Sequence, residues 1–344
     1  MFEQIISWQN LYLAWRRASK GKRSHPNVAL FEHRLEENLY LLQEELAQRL
    51  YLPGAYVNFH IHEPKRRLIS AAPFRDRVVH HALCNIIEPE FERSFIFDSY
   101  ANRVGKGTHR ALDRCQALAR QFAYFLQCDL CQYFPSIDHA ILRRILCKKL
   151  GDPGVLWLID LILTSGAGVH AADYDMAYFE GDDLFAALRP RGLPIGNLTS
   201  QFWANVYLNS FDHFVKRDLR CAAFLRFVDD LLFFANDKRQ LWEWRDSIIE
   251  RLAGGLRLTI HAGAQPQPVS EGIPFLGFIV FPERRRLKSR KAWHFQRQLR
   301  WLLRNYPQEG IPPAKITTKV QSWVNHARYG NTVGLRKMVL SRNI

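Results

Sequence analysis

The chain has 344 residues, of which 47% are apolar and 24% charged. This composition excludes a disordered or collagen-like chain, and the length is enough for two or three packed units. The sequence contains neither a run of 18 apolar residues nor a basic start followed by an apolar segment, so we expect no membrane helix and no signal peptide. Six scattered cysteines are typical of a reduced, cytoplasmic protein.

The net charge of +15 is concentrated at the C-terminal end. From Arg284 onward there are fifteen Lys or Arg residues and one acid, Glu309, whereas the first 283 residues carry 33 basic and 32 acidic residues. A balanced body with a basic module is typical of a protein that binds phosphates, although a solvated basic tail would carry the same charge. Apolar spacing argues against a tail because it predicts two helix faces: Trp293, Phe295, Leu299, Leu302 and Leu303, then Ile316, Val320, Trp323 and Val324.

The first hundred residues are predicted to be mainly helical. An apolar stripe runs from Phe31 to Leu50 and stops at Pro53-Gly54. Alternating apolar and polar residues over 57–62 predict a strand, and the apolar spacing over 73–97 predicts a helix.

The middle of the chain alternates strands and helices. Two short strands are predicted on either side of Asp229-Asp230. Further strands are predicted over 125–130, 256–260 and 275–280, and helices over 199–219, over 241–252 ending at Gly254-Gly255, and from Asp138 onward. Helices around a β-α-β-β-α-β order predict an α+β fold with a sheet of the split-βαβ type.

The pair Asp229-Asp230 is the strongest chemical signal. Adjacent acids between two apolar strands have no packing use, and a third acid, Asp129, ends another apolar strand. Three carboxylates on neighbouring strand ends would suit Mg²⁺, and two such ions about 3.5 to 4 Å apart can hold both oxygens of a phosphoryl transfer. A solvated hairpin tip beside an unrelated aspartate is the alternative.

Other blocks accompany Phe227-Val228-Asp229-Asp230 along the chain. In order they are Pro64-Lys65-Arg66-Arg67, Ser99-Tyr100-Ala101-Asn102-Arg103, Asp129 to Asp138, Gly192 to Gln201, and Ile273 to Gly277. In this order the blocks resemble the palm and fingers motifs of reverse transcriptases. The resemblance implies an RNA-directed DNA polymerase with a right-hand fold: N-terminal helices and fingers over 1–124, a palm with part of the fingers over 125–283, and a short, basic helical thumb over 284–344. A non-catalytic RNA-binding scaffold is the alternative from another class.

The resemblance also implies roles for individual residues. Phe134 matches the aromatic gate that excludes a 2′-hydroxyl, and Gly105-Lys106-Gly107 would help to hold the template backbone. The implied set is Asp129, Asp229 and Asp230 for catalysis and two Mg²⁺ ions, Lys65, Arg67, Phe134, Ile195, Gly196 and Gln201 for the nucleotide, and Phe275, Leu276 and Gly277 as the primer grip.

The sequence does not decide the roles of two charged positions. Arg226, next to the acidic pair, is either a structural counter-charge or a substrate contact. The sequence has no lysine between Lys238 and Lys288, where many polymerases offer one to protonate the leaving pyrophosphate. His261 is the other candidate for this proton donor.

The block from Ile195 to Gln201 indicates a subfamily. Most retroviral and intron-encoded enzymes have Gln in place of Ile195 and end the block with Ser-Pro, where this chain has Ser200-Gln201. The block resembles that of diversity-generating retroelements, whose copying is error-prone at template adenines. A defence-associated bacterial enzyme copying a dedicated non-coding RNA is the alternative. The implied partners are an RNA template, a DNA or RNA primer, deoxynucleotides, a structured non-coding RNA and a small accessory protein, with no membrane.

Overall fold

The computed structural model describes residues 1–62, 66–306 and 312–341. Within these ranges the helices are α1 (Phe2–Ile6), α2 (Trp8–Ser19), α3 (Pro26–His33), α4 (Leu35–Ala47), α5 (Phe74–Glu92), α6 (Thr108–Ala119), α7 (Tyr133–Ser136), α8 (His139–Cys147), α9 (Pro153–Ser165), α10 (Leu198–Arg217), α11 (Lys238–Leu256), α12 (Ser289–Asn305), α13 (Pro313–Ala327) and α14 (Val333–Ser341). The strands are β1 (Val57–Ile61), β2 (Arg67–Ala71), β3 (Tyr124–Asp129), β4 (Phe224–Phe227), β5 (Asp230–Ala235), β6 (Pro266–Pro268), β7 (Ile273–Phe275), β8 (Phe278–Val280) and β9 (Arg285–Leu287). In this part of the chain, no helix is both long enough and apolar enough to cross a membrane.

The central sheet has the predicted split-βαβ arrangement. Its strands lie in the order β4-β5-β3-β6, and every neighbouring pair is antiparallel. Helices α7 to α10 connect β3 to β4, and α11 connects β5 to β6, which gives the β-α-β-β-α-β order. The helix predicted to begin at Asp138 does so, because the Asp138 carboxylate accepts a hydrogen bond from the Ile141 backbone N–H at 3.0 Å.

The two faces of this sheet are covered by different apolar clusters. Side chains alternate along β3 and β5, so that Leu126 and Phe233 pack with the N-terminal helices, α10 and α11, whereas Phe125 and Phe234 pack on the opposite side. The second cluster includes α6, the sheet β7-β8-β9 and the C-terminal helices, with Leu287, Phe295, Leu299 and Trp323 among its members. The basic C-terminal segment is therefore folded onto the sheet, which excludes the solvated tail.

Two predicted strands are wrong. Helix α11 continues through Gly254-Gly255 to Leu256, and no strand covers 256–260, where Ile260 makes a single isolated bridge to Leu130. The extra turn buries Leu256, which offsets the cost of two helical glycines, about 1 kcal/mol each. The left-handed residue that ends the helix is Arg257, with φ 52°.

The segment predicted as one strand over 275–280 is a hairpin. Strands β7 and β8 are joined by Leu276 and Gly277, with φ values of 46° and 90°. Positive φ at both central residues is the conformation of a two-residue type I′ turn, which glycine favours. The predicted primer grip thus lies on a tight turn.

The predicted faces of the C-terminal helices are partly wrong. Helix α12 buries Ala292, Phe295, Leu299 and Leu302, but Trp293 and Leu303 are exposed. The Phe295 ring stacks on Trp323 of α13, with centroids 4.2 Å apart and planes at 3°. Trp293 and Leu303 lie outside the side of α12 that packs against the rest of the protein.

Candidate active site

Three carboxylates meet where the central strands end. In the antiparallel register of β3 and β5, Asp129 lies directly opposite Asp230. Asp229 belongs to the two-residue turn between β4 and β5, and its carbonyl accepts a hydrogen bond from the Leu130 N–H at 3.4 Å. All three line one cavity of about 940 Å³. The predicted convergence of these strand ends is therefore present in the fold.

The turn that carries Asp229 has an unusual backbone. Val228 adopts φ 57°, a left-handed conformation that a β-branched residue rarely takes. The Arg226 guanidinium donates a hydrogen bond to the Val228 carbonyl at 3.2 Å, and the same group donates to Asp212 at 2.7 Å and to Asn205 at 2.9 Å. A strained backbone conformation persists only where surrounding contacts hold it in place. Here the fully buried Arg226 holds the Val228 carbonyl. Of the two roles left open for Arg226, the structure supports the counter-charge.

The electrostatics of the site favour a bound cation. Burial, together with the negative charges of Asp229 and Asp129, raises the pKa of Asp230 to about 6. A carboxylate with a raised pKa among like charges is stabilised when a cation enters the cavity, and oxygen donors are those that Mg²⁺ prefers. Within the described ranges, no group of three or more acidic, His or Cys side chains is already arranged to hold a metal ion. The oxygen donors of Asp129, Asp229 and Asp230 nevertheless fit magnesium in their chemistry.

Basic side chains from separate elements complete the cavity. They are Arg67 at the start of β2, Lys106 before α6, Lys288 after β9, and Lys291 and His326 from the C-terminal helices. The Lys106 ammonium donates a hydrogen bond to the Phe97 carbonyl at 2.7 Å and lies 3.4 Å from the centre of the Phe97 ring. Sequence reasoning did not assign Lys288 and Lys291 to the site. The signal that could have found them is their position as the first lysines after the primer-grip block.

The predicted nucleotide and primer residues are distributed around this cavity. Lys65 lies outside the described residues. Arg67, Leu276 and Gly277 line the cavity, whereas the Phe275 side chain is buried against Phe227, with ring centroids 6.5 Å apart. Phe134, Ile195, Gly196 and Gln201 are not among the lining residues, so their nucleotide roles stay predictions.

The middle block is joined to β2 by specific hydrogen bonds. The Ile195 carbonyl accepts from the Ser70 N–H at 2.9 Å, and the buried Asn197 amide donates to the Ser70 carbonyl at 3.0 Å and accepts from the Ala72 N–H at 3.2 Å. A Cβ added to Gly196, whose φ is 121°, would lie 3.1 Å from Ile69. Sequence reasoning missed the role of Asn197, which fixes the block to the hairpin carrying Arg67.

His261 is less well placed for proton transfer. Its Nε2 lies 3.9 Å from the Asp129 carboxylate, and 61% of its side chain is exposed. Its backbone N–H donates to the Asp129 carbonyl at 3.0 Å. The contact that the structure shows is therefore chiefly a backbone one that supports the end of β3.

Comparison with known proteins identifies the family. The sequence profile of the family described as "Reverse transcriptase (RNA-dependent DNA polymerase)" matches residues 61–280. The chain belongs to this family. The predicted right-hand, α+β fold and the predicted class of enzyme, an RNA-directed DNA polymerase, are therefore confirmed.

The relatives of this reverse transcriptase come from several organisms. Protein YkfC of Escherichia coli is 23% identical over 300 residues, which cover 76% of this chain and 75% of YkfC. The group II intron-encoded protein LtrA of Lactococcus lactis is 24% identical over 216 residues, which span 61% of this chain but 33% of LtrA. A telomerase from Candida albicans, solved in complex with a fragment of telomeric RNA, is similar with a TM-score of 0.48 and 11% identity over 86% of this chain and 62% of that one.

Proposed function

We propose that this reverse transcriptase copies RNA into DNA at the cavity formed by Asp129, Asp229 and Asp230. The observation that carries the proposal is the register of β3 and β5, which puts Asp129 opposite Asp230 and beside the strained turn. These residues would hold two Mg²⁺ ions, which when bound neutralise phosphate charge and activate the attacking oxygen.

The proposed reaction needs little covalent chemistry from the protein. The primer 3′-hydroxyl loses its proton to solvent, and its oxygen attacks the α-phosphate of a deoxynucleoside triphosphate. A phosphodiester bond forms, the bond between the α- and β-phosphates breaks, and pyrophosphate leaves. The chain's own residues supply position and charge. Arg67 and Lys65 are proposed to bind the triphosphate, where the guanidinium can form two parallel hydrogen bonds and the ammonium acts as a point charge.

Nucleotide choice and primer position are assigned to the surrounding blocks. Phe134 is proposed as the gate against a 2′-hydroxyl, and Ile195, Gly196 and Gln201 as the nucleotide and template side. The turn at Leu276-Gly277 is proposed to hold the primer. The buried side chain of Phe275 is proposed to anchor this turn. A tight turn suits this role because its backbone can approach the primer backbone closely.

The C-terminal segment is proposed as the thumb that holds the template–primer duplex. A groove of about 1340 Å³ runs between α12 and α13, and its basic lining residues include Arg290, Lys315 and Lys319. Gly277, Lys288, Lys291 and His326 line both this groove and the carboxylate cavity, so the two are continuous. The proposed division is N-terminal helices and fingers over 1–124, palm with part of the fingers over 125–283, and thumb over 284–344.

The biological role that we propose is error-prone copying within a diversity-generating retroelement. The support is the block from Ile195 to Gln201, and the proposal includes a structured non-coding RNA and a small accessory protein as partners in the cytoplasm. A neighbouring pair of template and variable repeats would support this role. A lone non-coding RNA gene would support the defence-associated alternative instead.

The catalytic proposal is tested by Asp230→Asn in primer extension on an RNA template with Mg²⁺. DNA synthesis should fall below detection, while template–primer binding stays near the parent value. In EDTA, the unfolding midpoint should be equal or higher, because the neutral amide relieves repulsion from Asp129 and Asp229.

The matched control is Asp246→Asn, an exposed acid of α11 that pairs with Arg245. It should extend primers at the parent rate. Near-parent synthesis by Asp230→Asn would show that the metal assignment is wrong.

A further inference from the structure

The outward face of α12 carries an aromatic and basic stripe, of which only the Trp293 end also lines the duplex groove. Its members are Trp293, Arg297, Arg300, Trp301 and Arg304, which with Gln296 line a separate depression of about 350 Å³. At 100° per residue these positions share one side of the helix, opposite the buried Phe295, Leu299 and Leu302. We call this surface the α12 stripe. From Trp293 to Arg304 it is about 16 Å long.

The tryptophans of the α12 stripe are unusually open. Trp293 is 61% exposed and Trp301 is 53% exposed, although such large apolar rings are usually covered in folded proteins. The Arg297 guanidinium lies 5.8 Å from the centre of the Trp293 ring. The sequence from Ser289 to Asn305 contains no Asp or Glu, so the stripe has no acidic side chain among its own residues. Open rings beside cations are the combination that binds stacked bases and phosphates together.

The stripe is also continuous with the active site. Trp293 and Arg297 line both the stripe and the duplex groove, and the groove shares four residues with the carboxylate cavity. A nucleic acid strand bound in the groove can therefore pass round the edge of α12 at Trp293 and reach Trp301.

We propose that the α12 stripe binds single-stranded RNA, namely the unpaired part of the template that extends from the template–primer duplex. Paired bases are already stacked on each other, so exposed indole rings offer a gain only to unpaired ones. In a template–primer pair the unpaired segment is RNA, because the DNA strand remains paired with its template. This assignment rests on the proposed function, and it explains an exposed aromatic surface that neither catalysis nor packing requires.

The test compares two labelled RNA–DNA hybrids, one blunt and one with an unpaired RNA extension, by fluorescence anisotropy without Mg²⁺ or nucleotides. The parent protein should bind the extended hybrid more tightly. The double variant Trp301→Ala/Arg304→Gln should lose that preference by at least about fivefold, because one base stacked on an aromatic ring contributes at least that factor. Its affinity for the blunt hybrid and its extension rate on a short template should equal those of the parent.

Two further variants sharpen the result. Trp301→Phe should keep most of the preference, since a phenyl ring still stacks. Trp242→Ala/Arg245→Gln is the matched control, because Trp242 is 39% exposed on α11 with the Arg245 guanidinium 5.2 Å from its ring centre, and it should behave as the parent.

Several outcomes would overturn the assignment. They are a parent protein with no preference for the extended hybrid, an equal loss of affinity for both hybrids in Trp301→Ala/Arg304→Gln, and equal preference for a DNA extension. Because binding is measured without catalysis, each of these is distinguishable from a failure of the polymerase activity itself.

Discussion

The carboxylate turn and the C-terminal groove are both proposed to bind phosphates, but they are built in opposite ways. The turn depends on a few buried partners: Arg226 is fully buried and donates to Asp212, Asn205 and Val228. The groove relies on many exposed cations along α12 and α13, two helices whose sequences contain no acid. A single substitution should therefore abolish the function of the turn. In the groove, each lost cation should lower the affinity for the template–primer duplex by a small step.

The largest effect is expected from Arg226→Met. This change leaves the Asp212 carboxylate buried without its cation, which should lower the free energy of unfolding by about 3–5 kcal/mol. It also removes the donor to the Val228 carbonyl, so kcat for primer extension should fall by about a hundredfold if Asp229 moves by as little as 1 Å. Chemical denaturation and single-nucleotide extension measure the two effects.

A double variant separates stability from position. Arg226→Met/Asp212→Leu replaces the buried ion pair with apolar groups and should recover most of the lost stability. It should not recover kcat, because the turn still lacks its hydrogen-bond donor. A stable double variant with parent-like activity would show that Arg226 contributes only to folding.

The same contrast explains what could be predicted from the sequence. The acidic pair between two apolar strands, and Asp129 at the end of a third, were sufficient to predict that the carboxylates meet. The alternation of strands and helices predicted the split-βαβ sheet, but the strand that completes it, β6, was not among the predicted strands. The continuous apolar runs indicate strands that are buried on both faces, and the split-βαβ motif specifies the order of its strands.

The failures have physical causes. Gly254-Gly255 is a helix-stop signal in the local sequence. The free energy gained by burying Leu256 is larger than the cost of the two glycines, so the helix continues. The turn at Leu276-Gly277 needed positive φ at a leucine, which propensity does not predict. Lys288, Lys291 and Asn197 act through contacts with distant elements, and a single sequence carries no record of those distances.

A smaller and graded effect is expected in the groove from Lys315→Gln/Lys319→Gln. Both lysines are exposed on α13 and line the groove. If each neutralises one phosphate, the slope of log affinity against log salt should become shallower by about 1.5 in total. Template–primer affinity across a salt series measures it. Substitution is preferable to deletion of 284–344, since Leu287, Phe295 and Trp323 belong to the core that covers one face of the palm sheet.

Lys238→Gln on α11 is the control for this measurement, because Lys238 does not line the groove or the cavity. It should leave the slope unchanged. A slope that stays the same in the α13 variant would place the duplex elsewhere on the protein.

The smallest effect, and the most specific, is expected at Ile195. Its carbonyl is fixed to the Ser70 N–H, so a longer side chain should leave the backbone of the block in place. A glutamine there can donate hydrogen bonds toward the incoming nucleotide, which isoleucine cannot. Because such a contact depends on correct base pairing, it should increase the free-energy gap between correct and incorrect nucleotides. Each 1.4 kcal/mol of that gap is about a tenfold change in discrimination. Ile195→Gln should therefore lower misincorporation on a defined RNA template, most of all opposite adenine, whereas Ile195→Leu, which remains apolar, should keep the parent's error spectrum. If deep sequencing finds the same spectrum in all three proteins at comparable extension rates, Ile195 only fills an apolar gap, and the proposed role in diversification loses its support.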